Sequence, residues 1–397
     1  MTAIPCPMHL DSYMRVISGD AEGPGASLVR ASLSVLSGFF ILGWAARKKT
    51  YDFGLVRPTG VGATVVSIGN ITAGGTGKTP ATIYYARRFS EEGHRVVVLS
   101  RGYGRTTPMN EPLAVSDGKD ILLSPDEAGD EPYLIAKKLP RVPVVVCGKR
   151  VRGALFAMQR FEPDVVILDD GFQHIALSRD EDIVVIDCTI PFGFGHLLPR
   201  GLLREPLSAL RRATGFLLTH ADGHEHEQVV DTLRRINPTA TITKSRHRPV
   251  RLVSMRDNAE SRCDSLGGKR VLALSSIGNP KAFEETLIKL GADVVSRLRF
   301  RDHHWYDGAD SERIQATAER SRADYVVTTE KDGVRLALPP RVPGNTLVLE
   351  VELELIEDRA AAKTAWDIAK RIEQEMTYPG EVKVTLIREL RAVEYAR

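Results

Sequence analysis

The chain has 397 residues, of which 43% are apolar and 26% charged, and its net charge at pH 7 is +3. This length accommodates two or three domains, and this balance is typical of a globular chain with a sizeable core. The small net charge argues against a nucleic-acid partner. The four cysteines form no CxxC pair, which argues against a disulfide framework or a zinc site and fits a reducing compartment.

Residues 1–25 contain several Gly and Pro and are predicted to form a disordered tail. A helix is predicted for residues 26–49, where an uncharged, apolar stretch at 31–46 precedes a basic cluster at 47–49. A membrane-spanning helix needs roughly 20 apolar residues, and serines and a glycine interrupt this stretch. We therefore expect the helix to lie in the membrane interface, with its aromatic residues inserted and the basic cluster facing anionic phospholipid. The alternative is a buried core helix.

Residues 50–245 alternate between apolar, β-rich runs and helical or loop segments. The predicted strands are Val65–Ile68, Arg95–Leu99, Val142–Cys147, Asp164–Leu168, Ile183–Ile186, Gly215–Leu218 and Thr239–Ile242. Nearly continuous apolar strands separated by helices indicate a parallel sheet covered on both faces. Ligands of such sheets bind beyond the carboxyl ends of the strands, which is where the motifs described below lie.

A second, smaller α/β domain is predicted for residues 246–397. Its predicted strands are Arg270–Ser275, Asp293–Leu298, Tyr325–Thr328 and Thr346–Val351, and its predicted helices are Lys281–Leu290, Asp310–Arg320 and Arg359–Met376. The predicted fold class is therefore α/β, with a parallel sheet flanked by helices, a second, smaller α/β domain and a membrane-associating N-terminal helix.

A glycine-rich loop follows the first predicted strand and precedes a predicted helix. It reads Gly74, Gly75, Thr76, Gly77, Lys78 and Thr79. Backbone N–H groups of such a loop hold nucleotide phosphates, Lys78 reaches the β- and γ-phosphates, and the Thr79 hydroxyl binds Mg²⁺. The strict P-loop pattern places a glycine where this chain has Thr72. The alternative is an ordinary glycine-rich turn between a strand and a helix.

Carboxylates and arginines follow other predicted strands. Asp169 and Asp170 end a buried strand, where a P-loop enzyme places the carboxylate that orients Mg²⁺; a solvated turn is the alternative. The loop from Ser100 to Arg105 has two arginines and two glycines, which suits binding of an anionic group. The alternative is an ordinary surface loop. Asp130 and Glu131 lie at a predicted helix start, where acidic side chains commonly interact with the helix dipole. They are also candidates to accept a hydroxyl proton.

Three further segments bear on function. The segment Asp302-His303-His304 indicates an imidazole that shares a proton with a carboxylate, and it argues against a metal site. The alternative is an ordinary surface histidine. The charged segment from Thr329 to Asp332 has no role that its sequence reveals. Residues 219–222, Thr-His-Ala-Asp, lack the Asn-Lys-x-Asp guanine reader, which disfavours a GTPase switch.

Together these motifs resemble the tetraacyldisaccharide 4′-kinase family of lipid A synthesis. The residues that carry the resemblance are Ile68 to Pro80, Ser100 to Gly104, Gly129 to Pro132, Asp169 to His174, Leu197 to Pro199, Leu203 to Pro206, Gly278 to Pro280, Asp302-His303 and Thr329 to Asp332. They follow the family's order and span most of the chain. The resemblance implies transfer of the ATP γ-phosphate, with Mg²⁺, to the 4′-hydroxyl of a tetraacyl glucosamine disaccharide 1-phosphate.

The resemblance also implies a location and a site. The family works on the cytoplasmic face of the bacterial inner membrane, where this chain would be peripheral or monotopic, and its second domain moves over the nucleotide. No protein partner is implied. Asp130 matches the catalytic carboxylate, His303 the histidine that pairs with it, and Lys78 a catalytic phosphate contact. The Mg²⁺ candidates are Thr79, Asp169 and Glu131, and the candidate substrate-binding residues are Arg101, Tyr103, Asp170, Gln173 and His174.

The chain departs from the family pattern in one segment. Phe194 and His196 replace Asn and Arg of a Gly-Asn-Gly-Arg stretch, and Arg200 replaces Ala in Pro-Ala-Gly-Pro. Two alternatives to the implied activity remain. The chain is a P-loop kinase for another membrane glycolipid, or a non-catalytic membrane scaffold that uses ATP as a switch.

Overall fold

The computed structural model describes residues 10–222, 226–337 and 342–356. Two helices come first, α1 (Leu10–Ser18) and α2 (Pro24–Asp52). The prediction of a disordered tail is thus wrong for residues 10–18. Ile17 is only 1% exposed, so the apolar side of α1 is packed, and the glycines that suggested disorder all follow this helix.

The first part of the sheet contains six of the seven strands predicted for residues 50–245 and adds an edge strand. Its strands are β1 (Thr64–Asn70), β2 (Val96–Ser100), β3 (Leu113–Ser116), β4 (Val144–Val146), β5 (Val165–Asp169), β6 (Glu181–Asp187) and β7 (Gly215–Thr219). Its helices are α3 (Lys78–Glu91), α4 (Pro125–Ala128), α5 (Asp130–Lys138), α6 (Arg150–Phe161) and α7 (His226–Ile236). The strands β1, β2, β4, β5, β6 and β7 are parallel, and only β3 runs antiparallel to its neighbour β4.

The second part of the sheet follows α7. Its strands are β8 (Thr241–Ser254), β9 (Glu260–Ser261), β10 (Arg270–Ser275), β11 (Asp293–Arg299), β12 (Tyr325–Thr329) and β13 (Thr346–Leu355). Its helices are α8 (Pro280–Lys289), α9 (Gly308–Ser321) and α10 (Glu330–Leu336). The predicted helix Arg359–Met376 lies outside the described residues.

The described strands form one sheet in the order β11-β10-β12-β13-β8-β7-β6-β1-β5-β2-β4-β3, with β9 beside β8. The strands β1, β2, β4, β5, β6 and β7 are apolar along most of their length because helices cover both faces, as the sequence predicted. The predicted α/β class, with a parallel sheet flanked by helices, is confirmed.

Strand β8 joins the two parts of the sheet. The predicted strand Thr239–Ile242 is much shorter than β8, whose start pairs with β7 and whose end pairs with β9. Ion pairs join β8 to β13, with Arg246 Nε 2.6 Å from Glu354 Oε2 and Arg251 Nε 3.0 Å from Glu350 Oε2. The predicted domain boundary at 245–246 falls inside β8, and the division itself remains a prediction.

Helix α2 is longer than predicted and has two different faces. Among the described residues it is the one helix long and apolar enough to cross a membrane by length and composition. Leu28, Val35, Phe39 and Leu42 are between 65% and 70% exposed, so α2 is not the buried core helix considered as the alternative. Ser37, at 6% exposed, lies on the face that contacts the rest of the chain.

Candidate active site

A cavity of about 1270 Å³ lies at the carboxyl ends of β1 and β5. Its walls come from the glycine-rich loop, from the end of β5, from α2 and from the second part of the sheet. Single small-molecule sites typically occupy about 300–1,000 Å³. The cavity therefore has room for a nucleotide and for part of a second substrate.

The glycine-rich loop joins β1 to α3, which begins at Lys78. Gly77 has a φ of +87°, and a Cβ at this position would lie 2.9 Å from the ring of His247, so the turn requires glycine. The Lys78 Nζ lies 3.6 Å from Asp170 Oδ1. Thr79 lies in the first turn of α3, where backbone N–H groups have no partner within the helix. This geometry suits an anionic ligand.

The structure explains the missing first glycine of the loop pattern. Thr72 forms a β-bridge with Leu203, and the neighbouring Ala73 N–H donates to the Leu202 carbonyl at 2.7 Å. The Asn70 side chain donates to the Thr72 carbonyl at 2.7 Å. A residue held in bridge pairing by a neighbouring segment does not need the conformational freedom of glycine. The loop entry is therefore supported from outside the loop.

Asp169 is the last residue of β5 and is 2% exposed. Its carboxylate accepts hydrogen bonds from Thr82 Oγ1 at 3.1 Å and from Ser100 Oγ at 2.8 Å. Burial, together with the neighbouring Glu131 carboxylate, raises the pKa of Asp169 to about 6. Two carboxylates that disfavour each other's charge in this way would be stabilised by a cation between them.

Asp170 faces cations rather than another acid. Its Oδ1 lies 3.6 Å from Lys78 Nζ and 3.1 Å from Arg204 Nη1. Burial alone would raise the pKa of Asp170, but these two cations hold it well below its usual range. The φ of Asp170 is +52°, a strained value that is found often at functional sites.

Asp130 and His303 are 173 residues apart in the chain and meet beside the cavity. The His303 Nδ1 lies 3.0 Å from Asp130 Oδ2 and 3.2 Å from Oδ1. Burial opposes both charges, but each partner stabilises the charged form of the other, so the pKa of Asp130 is lowered and that of His303 raised. The His303 backbone has a φ of +59°, and its ring lies 5.2 Å from that of Tyr103.

Helix α10 places two cations on the two acids that open α5. Lys331 forms an ion pair with Glu131, and Arg335 Nη1 lies 2.5 Å from Asp130 Oδ2. Burial alone would raise the pKa of Glu131, but Lys331 together with Lys78 and His303 lowers it. Both acids are therefore held as carboxylates.

Neither Arg335 nor helix α10 was predicted from the sequence. Thr329 is the N-cap of this helix, and its side chain accepts from the Asp332 N–H at 3.2 Å. A threonine followed three residues later by an acid, just before an apolar run, is a capping signature. This signal would have found the helix, although not the contact that Arg335 makes.

The structure brings the sequence-predicted site residues together at one cavity. Its lining includes the whole loop from Gly74 to Thr79, and also Arg101, Tyr103, Glu131, Asp169, Asp170, Gln173, His174 and His303. Asp130 does not line the cavity; it is 3% exposed and lies behind His303. The individual roles of these residues remain predictions.

The predicted acceptor residues differ in their surroundings. Tyr103 is 59% exposed, whereas burial, together with Arg150, lowers the pKa of His174 to about 3 and keeps its imidazole neutral. The Gln173 side chain donates to the Asn70 carbonyl at 2.9 Å, which ties it to the base of the glycine-rich loop.

Helix α2 forms one wall of the cavity. Phe40, Trp44 and Arg47, spaced three and four residues apart, share one face of the helix and line the cavity. The Trp44 Nε1 donates to Glu205 Oε2 at 3.1 Å, and Arg47 Nη2 donates to the Gln173 carbonyl at 3.0 Å. The exposed apolar face of α2 is thus fixed relative to the cavity.

The segment that departs from the family pattern contacts helix α1. Arg200 Nη1 donates to the Ile17 carbonyl in the last turn of α1 at 3.0 Å, and Tyr13 Oη donates to the Pro199 carbonyl at 2.7 Å. The φ of Phe194 in this segment is +62°. The departure at Arg200 therefore has a local reason, because a cation suits the carbonyl end of a helix.

A phosphate-binding loop, buried carboxylates and an Asp-His pair at the carboxyl edge of a parallel sheet define a P-loop phosphotransferase. The family model described as "LpxK: Tetraacyldisaccharide-1-P 4'-kinase" matches residues 29–370. The chain belongs to this family, and the resemblance drawn from the motifs is confirmed. Helix α1 precedes the matched range.

Similar proteins agree with this assignment. A tetraacyldisaccharide 4'-kinase of Halothermothrix orenii is 41% identical over 83% of this chain and 88% of that protein. One of Anaeromyxobacter sp. strain Fw109-5 is 42% identical over 87% of this chain and 94% of that protein. The crystal structure of LpxK from Aquifex aeolicus in complex with ATP has a TM-score of 0.65 and 32% identity, covering 86% of this chain and 99% of that one.

Proposed function

We propose that this chain transfers the γ-phosphate of ATP to the 4′-hydroxyl of a tetraacyldisaccharide 1-phosphate, giving the 4′-phosphorylated lipid A precursor. The observation that carries this proposal is the shared cavity. The glycine-rich loop, the acids that follow β5 and His303 all line it. One ligand held by the loop and a second beside His303 would thus meet within a single cavity.

The residues at the glycine-rich loop fit a Mg²⁺ triphosphate. Lys78 and the N-terminus of α3 would hold the phosphates, and Thr79, Asp169 and Glu131 are the candidate Mg²⁺ contacts. No cluster of three or more His, Cys, Asp or Glu suited to a metal occurs in the described part of the chain. Mg²⁺ is usually held by one or two carboxylates together with substrate phosphates and waters, and Asp169 and Glu131 would be those carboxylates. When bound, the ion would neutralise charge that develops on the transferring phosphoryl group.

The geometry favours His303, rather than Asp130, as the group that accepts the hydroxyl proton. Both Asp130 oxygens already accept hydrogen bonds, from Arg335, His303 and its own helix N-terminus. Its lowered pKa also makes Asp130 a weak base. The His303 ring lines the cavity, and its Nδ1–H donates to Asp130, which leaves Nε2 to take the proton. Asp130 orients the ring and stabilises the imidazolium that forms.

A lipid acceptor requires access to a membrane surface. The apolar side of α2 is exposed at Phe39 and Leu42, while its opposite side lines the cavity at Trp44 and Arg47. Acyl chains in the bilayer and a sugar in the cavity would therefore be adjacent. We assign the chain to the cytoplasmic face of the inner membrane, where ATP is present, with its basic residues near anionic phospholipid.

The test is an acceptor panel with Mg²⁺-ATP in detergent. The proposal expects ADP release that depends on tetraacyldisaccharide 1-phosphate and is much slower with other glycolipids. Release that is faster with a different glycolipid would transfer the assignment to that acceptor. ATP binding without release on any acceptor would favour a nucleotide-dependent membrane switch.

A further inference from the structure

Helix α10 carries the charged segment from Thr329 to Asp332, to which neither the sequence nor the proposed mechanism gives a role. It presents two cations one helical turn apart, Lys331 and Arg335, to the consecutive acids Asp130 and Glu131. Residues four apart on a helix share one face. Lys331 and Arg335 therefore lie on the same face of α10, and this face meets the start of α5.

Arg335 is the more unusual of these two cations, because its side chain is 0% exposed. Its Nη1 donates to Asp130 Oδ2 at 2.5 Å. Its Nη2 donates to Asp332 Oδ1 at 2.6 Å and to the Ser276 hydroxyl and carbonyl at 2.8 and 3.1 Å. Tyr306 donates to the same Asp332 oxygen at 2.9 Å. The guanidinium thus bridges the end of β10 to the start of α5.

A buried guanidinium costs free energy unless its charge is paired with good geometry. Asp332 already supplies a buried carboxylate from the same helix, and it is fixed by Thr329, Ser276 and Tyr306. The hydrogen bond from Arg335 Nη1 to Asp130 on α5 is therefore not needed to neutralise the guanidinium. Its effect is to fix the position of the Asp130 carboxylate, because a planar fork that binds two carboxylates constrains both of them.

We propose that Arg335 is a positioning residue for phosphoryl transfer: by fixing the Asp130 carboxylate it keeps the His303 ring facing the cavity. This inference rests on the proposed function, since it assumes that His303 takes the hydroxyl proton. Reacting groups must be held close to their productive geometry, and a displacement of about 1 Å costs up to about 100-fold in rate. The segment from Thr329 to Asp332 acquires a role as well, because it starts the helix that carries Arg335.

The test compares Arg335→Met with Arg335→Lys in the full chain. We expect Arg335→Met to lower kcat by about 100-fold while the KM values for ATP and for the lipid stay within about threefold. Arg335→Lys keeps the charge but loses the fork, so its kcat lies between those of Arg335→Met and the unmodified chain. The matched control is Arg299→Met, which removes an arginine from the buried Glu284 in the same part of the sheet; neither residue lines the cavity. Its kcat stays unchanged.

A double variant separates positioning from general support of the fold. If Arg335 acts through Asp130, adding Arg335→Met to Asp130→Asn lowers the residual single-turnover rate little further. Independent, multiplying losses would overturn the inference, as would a folded Arg335→Met with unchanged kcat. If Arg335→Met does not fold, an unchanged kcat in Arg335→Lys overturns it. Full activity in Asp130→Asn alone would instead reject the proposed Asp130–His303 mechanism, on which the inference depends.

Discussion

Replacing His303 by asparagine tests the proposed proton acceptor with little damage to the fold. Asparagine tolerates the φ of +59° at this position better than most residues. Asp130 keeps its hydrogen bonds to Arg335 and to the Glu131 N–H, so the loss of stability is limited to about 1.5–3 kcal/mol for one bond to a charged group. Removing a general base lowers the rate by about 10²- to 10⁴-fold. We expect kcat to fall within that range.

The assay is ATP turnover with the lipid acceptor in detergent, together with thermal melting of each variant. His304→Asn is a matched control, because the adjacent His304 is paired with Asp310 at 2.6 Å and does not line the cavity. We expect this control to keep its turnover. A kcat for His303→Asn within about threefold of the unmodified chain would show that His303 is not the proton acceptor, as would an equal loss in His304→Asn.

The pH dependence of turnover follows from the same pair. Burial opposes the charge on His303, but the Asp130 carboxylate outweighs burial and raises the pKa of His303 above its ordinary value. A protonated imidazole accepts no proton, so kcat/KM should fall as the pH decreases through this raised pKa. We expect this fall in kcat/KM at low pH to be absent in His303→Asn. The same fall in that variant would show that another group titrates.

Three further predictions concern the loop, the membrane and helix α1. Lys78→Ala should raise the ATP KM and lower kcat by roughly 100-fold or more, because a phosphate contact is lost; unchanged ATP titrations and turnover would remove Lys78 from the site. Replacing Phe39 and Leu42 together by serine should lower co-sedimentation with anionic vesicles, whereas Leu155→Ser, an exposed apolar residue on α6, should not; equal binding by all three proteins would reject α2 as the contact. Arg200→Ala should loosen α1 and speed its removal by limited proteolysis, and an unchanged cleavage rate would show that this bond contributes nothing to docking.

Much of the site was predictable because parallel strands bring their carboxyl ends to one edge. The glycine-rich loop follows β1, and Asp169 and Asp170 lie at the end of β5; the apolar run of each strand is visible in the sequence. Their meeting then follows from the fold class alone. The Asp130–His303 contact is different, since 173 residues separate the two partners. Only the family resemblance predicted it, because no local pattern encodes a contact across the two parts of the sheet.

The elements that were predicted wrongly also depend on tertiary contacts. Residues 10–18 were assigned to a disordered tail because the nearby Gly and Pro dominated the local composition, whereas tertiary contacts at Ile17 and Tyr13 hold this helix. Strand β8 extends to Ser254 through a charged stretch that lacks an apolar run. Its arginines pair with glutamates of β13, which single-sequence periodicity does not reveal. Arg335 was missed because a buried arginine has no sequence signature.

The proposed 4′-kinase activity is measured most directly by mass spectrometry of the lipid after incubation with Mg²⁺-ATP and tetraacyldisaccharide 1-phosphate in detergent. We expect a gain of one phosphate on the 4′ position with the unmodified chain, and only a small fraction of this product with Asp130→Asn under the same conditions. ATP binding with no phosphorylated lipid, or equal product from both proteins, would contradict it.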